Sequence, residues 1–489
     1  MNEESVTTMS RDIAELSRRA GEWIAAHRDE FISEIQAAAR IPSVSRPDLA
    51  APGAPFGPDC RRILDHMLER GHHYGFQAED RDGYAAVISM GDPDNALGIV
   101  AHMDVVPVGD GWIYPPFGAT YLPEHDALVG RGVEDNKGPA IAGLFVMRML
   151  RDLEIPMRHG VKLYCGMSEE NGMDDMKTLV ARGERFPALS IVPDAGFPVN
   201  YAQKGSFNVD LTARAEGNLR AFEAGNAYNI IPDRAECVLD ADIDAVRAAV
   251  NGLDEALRGA IAVEAAPEGV KLVSAGRAGH AAGPDGSVNA IHLLARALTE
   301  ADLLTGSARD AVRGLELLAR DAYAESEGAA FEDEASGRTT LVYTLAHFAE
   351  GALTIGGDCR FSISCDSDQL LDKLKAAWAL LGYTPVKLTV SQPFYMPRDD
   401  ARVQALQEIY RTLTGRDEPP YAMGGGTYSR VVPNAISFGP GMPGENRVSQ
   451  FMPEGHGYAH GRDETLVMEK IYDGAKIYLA AMAVLDDIV

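Results

Sequence analysis

Acidic and histidine side chains follow three apolar, strand-like runs of the chain, close to the point where each run ends. The runs are residues 97–101, 161–165 and 189–192. In open α/β sheets the ligand crevice lies beyond the carboxyl ends of the strands, so these side chains are expected to converge. With a glycine-rich loop and one histidine far downstream, the candidates are His102, Asp104, Asp135, Glu169, Glu170, Asp194 and His460. Such a gathering of carboxylates and imidazoles would be poorly solvated unless a cation joined it, which predicts a metal hydrolase.

The spacing of three candidates suggests separate tasks at a metal. His102 and Asp104 are two residues apart, so they would share a face of a strand, and Asp104 could hold the second ring nitrogen of His102. The structural alternative is a turn histidine beside a capping aspartate. Asp135, in the glycine-rich loop 130–138, could bridge two ions at about 3.5–4 Å separation. Its alternative is the N-cap of the following helix.

The adjacent pair Glu169 and Glu170 is the sharpest local signal. One carboxylate can bind a metal while its neighbour takes a proton from the attacking water. The alternative is a solvated, acidic start of a helix, because Asp174 and Asp175 follow closely. The position of the pair after a buried strand favours the functional interpretation.

Helical and strand-like periodicities alternate along the chain up to Asp194 and predict an α/β sheet with helices on its faces. Helices are expected over 10–39, 59–70 and 140–153. Past Gly205, strand–helix–strand units with antiparallel returns predict a smaller α+β domain. We therefore expect a catalytic domain built from residues 1–203 and 389–489, with residues 204–388 inserted between its two parts.

The composition excludes several classes of protein. The 489-residue chain has 46% hydrophobic and 24% charged residues, as an ordinary globular protein does. Its formal charge of −27 argues against nucleic acid and anionic membranes as partners. The five cysteines are scattered, without the close pairs of a thiolate zinc site or a disulfide framework. Glu3 and Glu4 stand where a secretory signal would need apolar residues, so a soluble, cytoplasmic protein is expected.

Several strings of the sequence, taken in order, are typical of one enzyme family. They are residues 102–107, 132–138, 168–170, 192–194, 279–281, 288–290 and 424–428. On these strings the chain resembles the dizinc metallopeptidases of the aminoacylase, carboxypeptidase G and peptidase V family over most of its length. The strings 424–428 and 438–444 are most similar to the peptidase V branch of dipeptidases. The resemblance implies a zinc-peptidase-type mixed sheet flanked by helices, with an inserted ferredoxin-like α+β lid domain.

The same resemblance implies a set of metal ligands. His102 and Asp194 would hold one divalent ion, Glu170 and His460 would hold a second, and Asp135 would bridge the two. Zinc is the expected metal at both positions. Manganese and cobalt are alternatives, because histidine and carboxylate ligands suit all three metals.

The resemblance also implies that Glu169 is the general base, that Asp104 orients His102, and that a cis peptide bond follows Asp135. One departure concerns the last ligand. The loop before His460 is longer than is usual in the dipeptidase branch and contains a competing histidine, His456. His460 opens a His-x-x-x-Glu string directly before the final helix, so it is the predicted ligand.

In the inserted domain the resemblance implies contacts with the substrate. His280 would stabilise the oxyanion of the tetrahedral intermediate, Asn229 would be a second contact, and Arg360 would clamp a free carboxylate. Arginine suits that task because it binds a carboxylate through two parallel hydrogen bonds. Gly425 and Gly426 would let the peptide backbone approach closely. The structural alternatives are a polar turn for His280 and a strand-surface salt bridge for Arg360.

Together these features predict an enzyme that hydrolyses dipeptides with a free C-terminal carboxylate. A deacylase of acetyl- or succinyl-amino acids would share every metal residue and is the nearest alternative. A catalytically inactive relative that only binds peptide or metal is a second alternative, although it would have no use for Glu169. The long stretch 288–323 resembles the enlarged lid of monomeric relatives, so a monomer is expected, with a dimer as the alternative.

Overall fold

A computed structural model describes residues 11–444 and 447–489. Glu3 and Glu4, on which the expected absence of a signal rests, lie outside these residues. The described part of the chain forms the following α-helices: α1 (Ile13–Ala26), α2 (Arg28–Ala39), α3 (Pro58–His73), α4 (Lys137–Asp152), α5 (Asp174–Ala181), α6 (Ile243–Asn251), α7 (Glu255–Gly259), α8 (Ala290–Glu300), α9 (Ser307–Leu318), α10 (Ser367–Leu380), α11 (Ala401–Thr414) and α12 (Met468–Ile488). Within the two described ranges, no helix has both the length and the apolar character needed to cross a membrane.

The strands, in chain order, divide into an earlier and a later group. The earlier group is β1 (Gln77–Asp80), β2 (Ala85–Met90), β3 (Ala96–His102), β4 (Thr120–Leu122), β5 (Ala127–Val129), β6 (Gly160–Gly166), β7 (Leu189–Val192), β8 (Ala195–Gly196), β9 (Val199–Gln203), β10 (Gly205–Arg214), β11 (Leu219–Ala224), β12 (Ile230–Ile231) and β13 (Arg234–Leu239). The later group is β14 (Ile261–Ala266), β15 (Gly269–Ala275), β16 (Gly279–His280), β17 (Glu332–Asp333), β18 (Gly337–Arg338), β19 (Thr340–Ala349), β20 (Ala352–Phe361), β21 (Thr384–Ser391), β22 (Phe394–Tyr395), β23 (Tyr421–Met423), β24 (Ala435–Phe438), β25 (Pro440–Gly441) and β26 (Thr465–Val467).

The chain divides into two compact units. The first contains the chain up to Tyr201 together with Met396–Tyr421 and Thr427–Val489. The second contains Ala202–Tyr395 and the short segment Ala422–Gly426. The second unit thus extends past both ends of the insert expected at 204–388 and includes the glycine string.

The first unit is built on a mixed sheet with the strand order β1-β2-β6-β3-β7-β24-β9. Strands β6, β3, β7 and β24 are parallel, whereas β1, β2 and β9 run antiparallel to their neighbours. Every residue of β3 and β6 is buried, as expected for parallel strands with both faces covered. Helix α4 packs against β3, β6 and α12. The predicted mixed α/β sheet flanked by helices is confirmed.

One sequence-based expectation for this unit is wrong. The single helix expected over 10–39 is two helices, α1 and α2, because His27 leaves the helical conformation with φ −116° and ψ 17°. The apolar periodicity continues through the break, so the spacing alone did not reveal it. Trp23 stacks on the ring of His27 at 3.9 Å between centroids, directly at the junction.

The second unit is built on an antiparallel sheet with the strand order β14-β15-β13-β11-β19-β20-β10-β21. Residues of β10 alternate between buried and half-buried positions along most of the strand, which is the period of two of a sheet with unlike faces. Helices α6, α8, α9 and α10 each contact strands of this sheet. The α+β architecture predicted for the smaller domain is confirmed.

A buried carboxyl group lies in the core of the second unit. Oε1 of Glu327 accepts a hydrogen bond from the hydroxyl of Tyr343 (2.9 Å), which in turn accepts one from Nε1 of Trp378 (2.8 Å). Burial raises the pKa of Glu327 to about 7. Because the folded state retains this proton at a higher pH than the unfolded state does, the contribution of Glu327 to stability falls as pH rises from about 4.5 to about 7.

We predict that Glu327→Gln is more stable than the wild type at pH 8 by up to about 3 kcal/mol and close to the wild type at pH 5. Glutamine still accepts the hydrogen bond of Tyr343 but carries no charge to bury. Urea denaturation at the two pH values measures the difference. Glu325→Gln, which removes an exposed carboxylate two residues away, is the matched control and should show no such pH dependence. An equal effect of Glu327→Gln at both pH values would contradict the prediction.

Candidate metal centre

The parallel strands of the first unit end together at one edge of the sheet. β3 ends at His102, which lies in register with Gly166, the last residue of β6. β7 pairs with β3 and ends at Val192, shortly before Asp194. Since parallel strands present their carboxyl ends at the same edge, His102, Asp194 and the residues after Gly166 meet there.

One carboxylate, that of Asp135, lies between two histidines. Its Oδ1 is 3.0 Å from Nε2 of His102, and its Oδ2 is 3.0 Å from Nε2 of His460. Nε2 of His102 also lies 3.7 Å from Oδ1 of Asp194, and Nε2 of His460 lies 3.0 Å from Oε1 of Glu170. The peptide bond after Asp135 is cis. The site therefore has two poles, one at each histidine, with Asp135 common to both.

In the part of the chain that the structure describes, two sets of side chains are close enough to hold a metal ion. His102, Asp135 and Glu170 form one set, and His102, Glu169 and Asp194 form the other. Within each set the ligand atoms lie within 4.8 Å of one another. The structure thus brings the acidic and histidine candidates of the first unit to a single place.

The site concentrates negative charge and draws protons towards it. Burial raises the pKa of Glu169 well above its usual value, and the nearby carboxylates raise it further. Burial opposes a charge on His102, but the surrounding carboxylates outweigh it and raise the pKa of the imidazole well above its usual value. Hydrogen bonds to Asp135 and Glu170 raise the pKa of His460 to about 11. Cations would replace these protons, so the donor set fits metal ions.

Asp104 connects His102 to the two glutamates. Its Oδ1 accepts a hydrogen bond from the amide of Glu169 (3.0 Å), and its Oδ2 accepts one from the amide of Glu170 (3.1 Å). Nδ1 of His102 lies 3.0 Å from the backbone oxygen of Asp104 and 3.5 Å from its carboxylate. Asp104 is fully buried, so it positions the backbone of the glutamate pair as well as the histidine ring.

Two buried residues outside the predicted site, Arg131 and Glu464, support Asp135 and His460. Oε1 of Glu464 accepts hydrogen bonds from the amides of Glu134 (2.9 Å) and Asp135 (3.0 Å). Its Oε2 accepts one from Nη1 of Arg131 (2.7 Å), and Nη2 of Arg131 donates to the backbone oxygen of His460 (3.1 Å). The His-x-x-x-Glu spacing marked Glu464. No local pattern could pair it with Arg131, because 333 positions separate the two residues.

The structure places the competing histidine elsewhere. Nδ1 of His456 lies 2.5 Å from Oδ2 of Asp463. The carboxylate of Asp463 also accepts hydrogen bonds from the amides of Ile113 and Tyr114. His456 therefore belongs to a loop-fixing cluster, and His460 is the histidine that lies beside Asp135.

A further buried acid holds the start of the glutamate segment. The carboxylate of Asp175 accepts hydrogen bonds from the amides of Met167 (2.6 Å) and Ser168 (2.8 Å) and from the hydroxyl of Tyr428 (2.5 Å). A Cβ atom at Gly166 would lie 2.0 Å from that hydroxyl, so only glycine fits at the end of β6. The tyrosine of the 424–428 string therefore has a structural task in the first unit.

The second unit holds His280 and Asn229 side by side. β12 and β16 pair with Ile230 opposite His280, and the backbone oxygen of Asn229 accepts a hydrogen bond from the amide of Ala281 (2.9 Å). Partial burial and the charge of Arg360 lower the pKa of His280, which favours a neutral imidazole.

Arg360 is held by a buried carboxylate. Its Nε and Nη2 donate to the two oxygens of Asp358, each at 2.7 Å, and Asp358 is 1% exposed. Nη1 lies 3.4 Å from the backbone oxygen of Gly424, which Gly425 and Gly426 follow directly. A guanidinium has five N–H donors, so three of them, on Nη1 and Nη2, do not point at Asp358. Asp358 thus fixes the plane of the group and leaves one edge for a ligand.

Comparison with known proteins gives matches over nearly the whole chain. The family described as Peptidase family M20/M25/M40 matches residues 98–483. The protein named "Putative dipeptidase YtjP" of Bacillus subtilis (strain 168) is 28% identical over 469 residues, covering 93% of this chain and 97% of its own. A "Putative dipeptidase" of Staphylococcus epidermidis is 28% identical and covers 94% of this chain and 98% of its own.

Solved structures share the fold at low sequence identity. Human carnosine dipeptidase 1 has a TM-score of 0.55 at 16% identity, covering 96% of this chain and 99% of its own. The di-peptidase Dug1p from Saccharomyces cerevisiae has a TM-score of 0.59 at 13% identity, covering 98% of this chain and 99% of its own.

We predict that Arg131→Met lowers the free energy of unfolding by about 3–5 kcal/mol, because it leaves the carboxylate of Glu464 buried without its cation. The double variant Arg131→Met/Glu464→Gln should recover part of that loss, since no unpaired charge remains. Urea denaturation of the single and double variants measures the coupling.

Arg62→Met is the matched control, because Arg62 pairs with Asp59 at 2.9 Å on the surface, with its side chain 61% exposed. Its effect should stay below about 1 kcal/mol. Strictly additive effects of Arg131→Met and Glu464→Gln on the free energy of unfolding would show that the two residues are not energetically coupled.

Proposed function

The chain belongs to peptidase family M20/M25/M40, and from this premise we propose that it is a metal-dependent dipeptidase acting on dipeptides with a free C-terminal carboxylate. The observation that carries the proposal is Asp135, whose two oxygens each lie 3.0 Å from a different histidine. A carboxylate shared in this way suits a pair of ions at co-catalytic separation. The dipeptidase names of the relatives described above support the choice of substrate.

The proposed ligands follow from the two poles of the site. His102 and Asp194 would hold one ion, Glu170 and His460 the other, and Asp135 both. Zinc is the proposed metal, and the same donors would accept manganese or cobalt. When bound, two divalent ions acidify a water molecule and polarise the scissile carbonyl.

Glu169 is proposed as the general base. Its backbone is anchored by Asp104, while burial and neighbouring charge raise the pKa of its carboxyl group. In the reaction the carboxylate takes a proton from the attacking water and gives it to the leaving amine as the peptide bond breaks. Its oxygens lie close enough to those of Asp194 that a ligand role is the competing assignment, and the variant pair below distinguishes the two.

The second unit is proposed to supply the groups that bind the substrate. Arg360, fixed in its plane by Asp358, would bind the free carboxylate through its remaining N–H donors. His280 would stabilise the oxyanion, Asn229 would be a second polar contact, and the amides of Gly425 and Gly426 would line the peptide. The proposed location is the cytoplasm, which the five free thiols support.

A panel of dipeptides, assayed beside acetyl- and succinyl-amino acids with zinc, manganese or cobalt, tests the function. Hydrolysis of dipeptides at a higher kcat/KM than the acylated amino acids supports the proposal. A preference for the acylated amino acids would assign a deacylase. Binding without turnover of any substrate would assign an inactive relative.

We predict that Glu169→Gln lowers kcat by about 10²–10⁴-fold while two metal ions per chain remain bound, because the base is lost and the ligands are kept. The adjacent Glu170→Gln is the matched variant and should lower metal content. Elemental analysis and steady-state kinetics on both variants give the readout. Loss of metal in Glu169→Gln, or near-normal turnover, would remove the assignment of the base.

We predict that Arg360→Lys raises KM for free-carboxylate dipeptides by about 10–100-fold, since lysine keeps a charge for Asp358 but lacks the planar fork. Dipeptide amides should show little change, because they have no carboxylate to bind. The matched control is Arg402→Lys, because Arg402 donates to Asp400 through the same two nitrogens at 2.8 and 2.6 Å. If the amides lost as much as the free dipeptides, Arg360 would not be the carboxylate site.

A further inference from the structure

The first unit contains a cavity of about 380 Å³ near the amino ends of its parallel strands. Its walls come from Lys162 on β6, from the turn after β1, from the segment before β3 and from the end of α5 with the residues that follow. Lys162 stands four residues before Gly166 on the same strand, which is about 13 Å at the usual rise. The cavity is therefore distinct from the candidate metal centre, which lies at the opposite ends of the strands.

Lys162 is a largely buried residue whose ammonium group has no counterion among the described residues. It lies in register between Ser89 of β2 and Gly98 of β3, and the residue is 6% exposed. Among the residues that the structure describes, no side chain or backbone oxygen forms a hydrogen bond or ion pair with its ammonium group. Lysine is seldom buried this far without a partner. Its Nζ is not fully enclosed, so the ammonium group faces the cavity rather than the core.

The arginines around the cavity, in contrast, have acidic partners. Nε of Arg81 lies 3.1 Å from Glu184, and Nη1 of Arg182 lies 3.0 Å from Asp82. Arg185 is more loosely paired, at 3.7 Å from Asp94, with both side chains exposed.

The lining therefore contains four cations (Lys162, Arg81, Arg182 and Arg185) and three carboxylates (Asp82, Asp94 and Glu184). The unpaired positive charge is that of Lys162. Glu79, which lies outside the lining, also pairs with Arg81 at 2.5 Å, so the surrounding charges balance while Lys162 has no carboxylate partner of its own.

We propose that this cavity binds a phosphate group, with Lys162 as its central cation. An ammonium group offers three donors, and Arg81 and Arg182 each keep N–H groups that do not point at their carboxylates. Several cationic donors around one space suit the charge and the many acceptors of a phosphate. The cavity volume falls within the range of small-ligand sites, so the group is either inorganic phosphate or the end of a small phosphate ester.

Isothermal titration calorimetry at constant ionic strength tests the site, with inorganic phosphate and glycerol phosphate as the two probes. The metal-loaded wild type should bind at least one probe, and Lys162→Met should weaken that binding at least tenfold. Any phosphate held at the metal centre contributes equally to both proteins, so the difference between them reports the cavity. Tighter binding of the ester identifies an ester as the ligand, and preference for inorganic phosphate identifies the free ion.

Lys375→Met, which removes one exposed positive charge on α10, is the matched control and should bind as the wild type does. Phosphate should also raise the Tm of the wild type but not that of Lys162→Met. Arg182→Gln, in which the altered side chain is 48% exposed, provides a second variant that should weaken binding without burying a new group. Equal binding of both probes by the wild type, Lys162→Met and Arg182→Gln would overturn the proposal.

Discussion

The carboxylate of Asp135, with a histidine nitrogen 3.0 Å from each of its oxygens, is the contact on which the rest of the first unit depends. One histidine closes β3 and the other lies in the loop before β26, so Asp135 ties the centre of the sheet to the last part of the chain. Glu170 and Asp194 add further negative charge at the two poles. Negative charges this close together in a largely buried site are stable only when cations or protons lie among them.

The backbone around this contact is held by buried acids acting in the same way. Asp104, Asp175 and Glu464 each accept hydrogen bonds from two consecutive amides at the site. A buried carboxylate can only accept, and it cannot turn to water, so its bonds to amides are strong and directional. The glutamate pair and Asp135 are thus fixed through their main chain, which leaves their side chains free for ligands and protons.

Cations that are buried or half-buried in the described part of the chain show the complementary rule. Arg131 is paired with Glu464, and Arg360 is paired with Asp358. Lys137, fully buried beside the glycine-rich loop, donates to the backbone oxygen of Ile41 at 2.6 Å. Lys162 differs from these examples, because the residue is largely buried while its ammonium group faces the cavity and contacts no protein oxygen in the described ranges. A bound anion would give Lys162 the partner that the other cations find in protein carboxylates or backbone oxygens.

Much of the site could be predicted from the sequence alone, because its acidic and histidine residues lie next to short apolar runs that indicate strands. Apolar runs followed closely by His102, Glu169 or Asp194 indicate buried strands with polar groups at their carboxyl ends, and the alternation of elements predicts an α/β sheet with helices on its faces. The mixed order of that sheet was implied by the family resemblance. These signals are short in range, since burial and periodicity act over a few neighbouring residues. The break at His27 escaped them because apolar spacing continues through it.

The spacing of residues along the sequence could not reveal which distant side chains pair with one another. The pairing of Arg131 with Glu464, the assignment of His456 to Asp463 and the counterion-free burial of Lys162 arise only when distant segments pack. The partner of a side chain depends on which distant segment packs against it. Sequences with the same local pattern could therefore place different groups beside it. The sequence by itself therefore determined which kinds of chemistry are available. Long-range packing decided which atoms contact one another, because each contact joins segments that are distant in the chain.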